Sequence, residues 1–208
     1  MGHLVHIAFR FSAVVLASLA VAPQAVGQPE FTTKYVYYAI GGNTPLEIYR
    51  SMLKRGPRVD GAKAYAATSA ESVQSGKLQP GQTCHIEDYR LRIDFQIKLP
   101  RIKNEKILST GDRSRWQEFA RFLKKHEETH RAIWLTCAAD LETKIHSIKA
   151  ATCAEVEKKS QSLWDATRKA CSKKHDAFDA AEQKKLMQRP FVKLVYRKSL
   201  QTRAAKAR

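Results

Sequence analysis

After Gly111 the chain contains no further glycine, and no proline interrupts it before Pro190. Glycine weakens a helix through backbone entropy, and proline breaks one by removing an N–H and clashing with the preceding turn. A stretch this long without either reads as helix. Two capping-box signatures divide it, Ser114-x-x-Gln117 and Thr152-x-x-Glu155, each a hydroxyl placed to accept an orphan backbone N–H of the first turn. The spacing predicts two long helices, about 115–149 and about 153–187. So short a connection makes them antiparallel neighbours.

The preceding part of the chain reads differently. Tyr35-Val-Tyr-Tyr-Ala-Ile40 is rich in β-formers and stops at Gly41-Gly42-Asn43, a strand followed by a turn. Thr44 then caps a short helix, with Pro45 at its first position and Leu46, Tyr49, Met52 and Leu53 at helical spacing until Gly56-Pro57. A further extended stretch falls near Ala64 to Val73. From Cys84 to Leu99, residues Leu91, Ile93, Phe95, Ile97 and Leu99 alternate strictly with polar ones, as on a half-buried strand. The fold class expected is α+β: a small N-terminal antiparallel β-sheet with one short helix, then a long antiparallel two-helix hairpin.

The first long helix carries His126-Glu127-Glu128-Thr129-His130. Histidines four residues apart project from one helix face, where both imidazoles can share one zinc ion. Glu127 follows the first histidine and can take a proton from an attacking water. Trp116, Phe119, Leu123, Trp134, Cys137, Leu141, Ile145 and Ile148 trace an inward stripe at intervals of three or four. His126 and His130 fall on that stripe. Polar groups facing a core are costly unless partnered, and a metal is one such partner. An accidental HExxH in a chain this long is on the order of one chance in a hundred at average composition.

A zinc site needs a third protein ligand and leaves a fourth position open. Folding the helices about a turn near residues 150 and 151 places His126 opposite His175 and His130 opposite Cys171. His175 is therefore the first choice for third ligand, with Asp179 and Glu182 as oxygen alternatives one to two turns along the same helix.

Residues 1–27 read as a secretory signal. Arg10 closes a short basic region, an apolar core runs from Phe11 to Ala22, and Ala25-Val26-Gly27 offers small residues for cleavage before Gln28. That core is too short for a membrane span. His3 and His6 leave with it. The expected location is periplasmic or secreted, with residues 28–190 as a single domain and 191–208 as a basic tail. Four cysteines, Cys84, Cys137, Cys153 and Cys171, suit an oxidising compartment and two disulfides, and their spacing matches no compact zinc motif. The sequence alone allows three pairings.

The 37 Lys and Arg outnumber the 20 Asp and Glu, giving a net charge of +17. From Lys184 onward the chain carries nine Lys or Arg and no acid, so removing that segment leaves 17 − 9 = +8. Such a segment can contact an anionic cell-envelope surface, or it is a solvated tail with one strand tucked against the domain. Export argues against a nucleic-acid partner.

Taken in order, Tyr37-Tyr38, Gly42, Thr44, Leu46, Met52 and Gly56-Pro57, then Cys84 with the strand ending Leu99-Pro100, then Trp116, His126-Glu127, His130 and Cys153 resemble domain of unknown function 922. This is a bacterial family of predicted secreted zinc-dependent proteases. The resemblance covers most of the mature chain. It implies a zinc metallopeptidase with a peptide or protein substrate, Zn2+ as cofactor, His126 and His130 as ligands and Glu127 as general base. It also implies a Cys84–Cys153 disulfide, leaving Cys137 and Cys171 as an extra pair. The family commonly continues Tyr-Asp-x-x-Thr-x-His-Gly after the second helix, its histidine being the natural third ligand. Here Phe178-Asp179 stand at Tyr-Asp, Glu182 at the threonine, and Lys184 and Lys185 at His-Gly. A protonated lysine offers zinc no lone pair, which leaves the role to His175 or a nearby carboxylate, or makes this a degenerate member that acts by binding through its basic surface.

Overall fold

The computed structural model describes residues 29–206; the signal segment expected over 1–27, with His3 and His6, lies outside them. The elements in order are β1 (Glu30–Ile40), α1 (Pro45–Arg55), β2 (Arg58–Val59), β3 (Ala62–Lys63), β4 (Ala67–Gln79), β5 (Cys84–Ile102), a 3-10 turn (Glu105–Ile107), α2 (Thr110–His146), β6 (Lys149–Ala150), α3 (Cys153–Gln188) and α4 (Pro190–Lys206). Over the described residues the fold is α+β, with an N-terminal sheet and four α-helices.

The sheet order is β1-β5-β4, with β6 paired to the start of β5. β4 runs antiparallel to β5, but β1 runs parallel to it, from Glu30 beside Arg92 to Ile40 beside Ile102. The sheet is therefore mixed, which corrects the antiparallel expectation. Alternation fixes which face each side chain takes and carries nothing about a neighbour's direction. The β1-to-β5 connection runs through α1, the β2–β3 hairpin and β4, ample chain for the crossover a parallel pair needs.

β5 is the backbone of the domain. Leu91, Ile93, Phe95, Ile97 and Leu99 are all buried on one of its faces. Thr44 and Glu47 form a reciprocal capping box at α1, whose Ile48 and Met52 are fully buried. α2 begins earlier than Ser114, because Ser109 accepts the Asp112 N–H and starts the helix, with Gly111 held inside the first turn. Thr152 caps α3 as the pattern implied, accepting from the Glu155 N–H.

The C-terminal segment departs most from expectation. It forms α4, a helix and not a tucked strand, and Phe191, Val192 and Val195 are buried. Phe191 stacks on Phe119 with centroids 5.0 Å apart and meets Trp116 edge-on at 5.6 Å. These residues lie at i, i+1 and i+4, a helical stripe that the surrounding basic residues obscured. They close a core with Trp116, Phe119, Leu123, Ile48 and Met52. A second core joins Tyr89, Leu91, Ile93 and Phe95 to Ala138, Leu141 and Ile145.

Disulfides join Cys84 to Cys153 and Cys137 to Cys171, the pairing the family resemblance implies. Among the described residues no helix is long and apolar enough to cross a membrane.

Candidate metal centre

α3 folds back along α2, so that Cys137 meets Cys171, His130 meets His175 and His126 meets Asp179. The register differs by about one turn from a fold about residues 150 and 151. The connection is not a tight turn: Lys149–Ala150 leaves the helices to pair with Cys84 and His85 as β6, and that excursion sets how the helices align.

This alignment decides which groups meet. His126 Nε2 and His130 Nε2 lie 3.0 Å apart, and Asp179 Oδ1 lies 3.1 Å from the first and 3.0 Å from the second. Burial lowers the pKa of both histidines, and the Asp179 charge opposes that shift without reversing it. Both rings are thus neutral near pH 7, the form that carries a ligand lone pair.

The cluster fits a zinc ion. Two nitrogens and one oxygen are donors that zinc accepts at about 2.0–2.2 Å, and tetrahedral ligand atoms on such bonds lie about 3.3 Å apart. The three observed edges are within a few tenths of an ångström of that. Asp179 is half exposed while the histidines are largely buried, so the open side of the cluster is the side of Asp179.

His175 does not join the triangle. Its Nδ1 lies 2.8 Å from His130 Nδ1, on the far edge of that ring from Asp179. There it can fix the tautomer that leaves His130 Nε2 free, as outer partners of metal-bound histidines do. Burial and the neighbouring His130 lower its pKa. Trp134, one turn after His130, packs on His175 at 5.1 Å between centroids. His126 has no such outer partner among the described residues, where its buried Nδ1 makes no hydrogen bond. Its ring stacks instead on Phe178 at 4.8 Å.

Glu127 is 4% exposed. The Thr68 hydroxyl, from the start of β4, donates to its Oε2 at 2.9 Å. Burial raises the carboxyl pKa to about 7, against the lowering effect of that hydrogen bond. A carboxyl poised there can accept a proton near neutral pH. A cleft of about 190 Å³ opens beside these groups, lined by Tyr65, Ala66, His126, Glu127, Asp179 and Glu182 among others. Glu182 is occupied by Lys185, whose Nζ lies 2.6 Å from Oε1.

Thr68 and Trp134 were not readable as partners of the site. Thr68 lies on a strand whose sequence is weakly patterned, and Trp134 was legible only as part of the apolar stripe. No short-range signal carries a contact between residues 59 positions apart.

A family model described as "Bacterial protein of unknown function (DUF922)" matches residues 35–185. No curated protein and no solved structure matches the chain.

Proposed function

The chain belongs to this bacterial family of unknown function, and on that premise we propose that it is an exported zinc-dependent metallopeptidase. One observation carries the reading: three ligand atoms from His126, His130 and Asp179 stand about 3 Å from one another beside a buried glutamate. In this reading His126 Nε2, His130 Nε2 and Asp179 Oδ1 hold the ion, and His175 orients His130 from outside. Bound zinc supplies Lewis acidity toward a carbonyl and a water molecule. Glu127, held by Thr68, accepts the proton of the attacking water and can return it to the leaving amine. The two disulfides and the N-terminal apolar segment support export.

The test is zinc content by mass spectrometry on oxidised protein spanning residues 28–208. About one zinc per chain is expected in the parent and none in His126→Ala or Asp179→Ala. His175→Ala keeps the stoichiometry with affinity reduced about 10–100-fold, the usual cost of an outer partner. Glu127→Gln retains zinc and lowers peptide hydrolysis by about 100- to 10,000-fold. A parent that takes up no zinc after reconstitution overturns the reading.

One feature favours a second reading, a degenerate relative that binds an anionic envelope component. On another side of His126, Lys125, Lys185 and Arg189 line a cleft of about 300 Å³ together with Phe122, Phe178 and Glu182; Lys185 pairs with Glu182 and Arg189 with Glu118, three cations against two carboxylates. Salt-sensitive binding to anionic lipid vesicles, lost in Lys125→Ala/Lys185→Ala, is its signature. Truncation after Arg189 is unsuitable as a test, because Phe191 belongs to the core.

A further inference from the structure

Beyond the histidine cluster, and sharing with it Trp134, which packs on His175, the sheet and the helix pair separate to leave a cavity of about 310 Å³. Its floor is built from Leu91 and Ile93 of β5 and Ala138 and Leu141 of α2, all buried. Trp134 and Trp164 form its walls, both only partly buried. The cavity is thus apolar at its base and open at one side, with two indole side chains in its lining. A void of about 150 Å³ with apolar walls takes up benzene. This one has room for an aromatic group with substituents, or for a medium-length alkyl chain.

The mouth is different in kind. Ser72, Thr167 and Arg168 line it, and no carboxylate does. Arg168 is exposed and makes no ion pair among the described residues. An exposed arginine in the lining of an apolar hole, whose lining also carries the Ser72 and Thr167 hydroxyls, matches a carboxylate carried on an apolar body.

We propose that this cavity binds a single carboxylate-headed apolar group, its body between Trp134 and Trp164 and its head at Arg168. The site does not depend on zinc, and the assignment stands whether or not the histidine cluster holds a metal. Two sources share this chemistry: an acyl chain, and the C-terminal residue of a peptide ending in a large apolar side chain.

The experiment is a titration of oxidised residues 28–208, without added zinc, by calorimetry and tryptophan emission. The probes are decanoate, decanol, N-acetylphenylalanine and its amide. The expected result is saturable binding of one carboxylate probe per chain, with an emission change lost in Trp134→Phe/Trp164→Phe. The uncharged counterpart should bind at least about tenfold more weakly, and Arg168→Ala should remove that difference. Ala70→Phe, which fills the cavity from β4, should abolish binding. Tighter binding of decanoate identifies an acyl ligand, and tighter binding of N-acetylphenylalanine a peptide end. No saturable binding of either, equal binding of charged and uncharged probes, or binding unchanged in Ala70→Phe overturns the proposal. Zinc content measured on the same samples separates this outcome from that of the metallopeptidase reading.

Discussion

Two stretches of one helix face meet opposite conditions. Near the start of α2, Trp116, Phe119 and Leu123 are nearly inaccessible to water, among Ile48, Met52 and Phe191. One to two turns later the same face presents His126, Glu127 and His130, before Ala138, Leu141 and Ile145 restore an apolar contact with β5. The flanks gain free energy from burial, roughly in proportion to apolar area removed from water. The middle gains none that way, since each buried polar group must recover its lost hydration through a partner. The cluster therefore sits at the seam between two cores that would hold the helix without it.

The largest expected effect tests that division. Phe119→Ala removes a ring stacked on Phe191 and should cost about 3–5 kcal/mol in urea unfolding. His130→Ala, measured without metal, should cost about 1–2 kcal/mol, less than Phe119→Ala, because what it removes is mainly a polar partner of His175 and not a large apolar ring. Adding zinc at about 100 times its dissociation constant should stabilise the parent by about 2.7 kcal/mol and leave His130→Ala unchanged. If His130→Ala without metal were as damaging as Phe119→Ala, the middle of α2 would be core like its flanks.

The disulfides sharpen the same comparison. Cys84–Cys153 spans 69 residues and ties the first residue of β5 to the start of α3; Cys137–Cys171 spans 34 and clamps α2 to α3 beside His130 and His175. Loop entropy makes their removal cost about 4.4 and about 3.8 kcal/mol, similar values. Their effects on metal affinity should differ. Cys137→Ala/Cys171→Ala frees the helix pair where His130 and His175 meet and should weaken zinc binding, whereas Cys84→Ala/Cys153→Ala should leave affinity near the parent's. Equal losses would mean that the cluster depends on global stability and not on local alignment.

Much of this arrangement is legible in the amino-acid sequence. The absence of glycine after Gly111 and of proline before Pro190 marks the helices, Thr152 marks the start of α3, and the alternation through Leu91–Leu99 marks β5. The spacing of His126 and His130 places them on one face. What was not legible is long-range. The direction of β1 is set by a partner 62 positions away, and the α2–α3 register by two residues of β6 pairing with Cys84 and His85. That register is why Asp179, and not His175, faces the two Nε2 atoms. The role of Phe191 is masked in the sequence by the basic residues around it, although Phe191, Val192 and Val195 keep a helical spacing.

The smallest predicted effect concerns a second buried glutamate on α2, and it contrasts with Glu127. Glu142 is also 4% exposed, but it accepts the Leu91 N–H at 2.8 Å, one residue before β1 begins to pair with β5 at Arg92. The carboxyl closes the gap in the ladder at a sheet margin, a structural duty. Burial raises its pKa, partly offset by that N–H. The sign follows from linkage: a carboxyl whose folded pKa exceeds its unfolded one favours folding when protonated, so its support is fullest below the unfolded value and is lost as pH rises through the folded one. Glutamine keeps an acceptor for Leu91 and stays neutral throughout. Glu142→Gln should therefore match the parent in thermal unfolding near pH 4 and become progressively more stable relative to it toward pH 7. A gap that is constant with pH would mean that the Glu142 carboxyl ionises as readily in the fold as in the unfolded chain, leaving Glu127 as the buried glutamate on α2 with an unusual affinity for its proton.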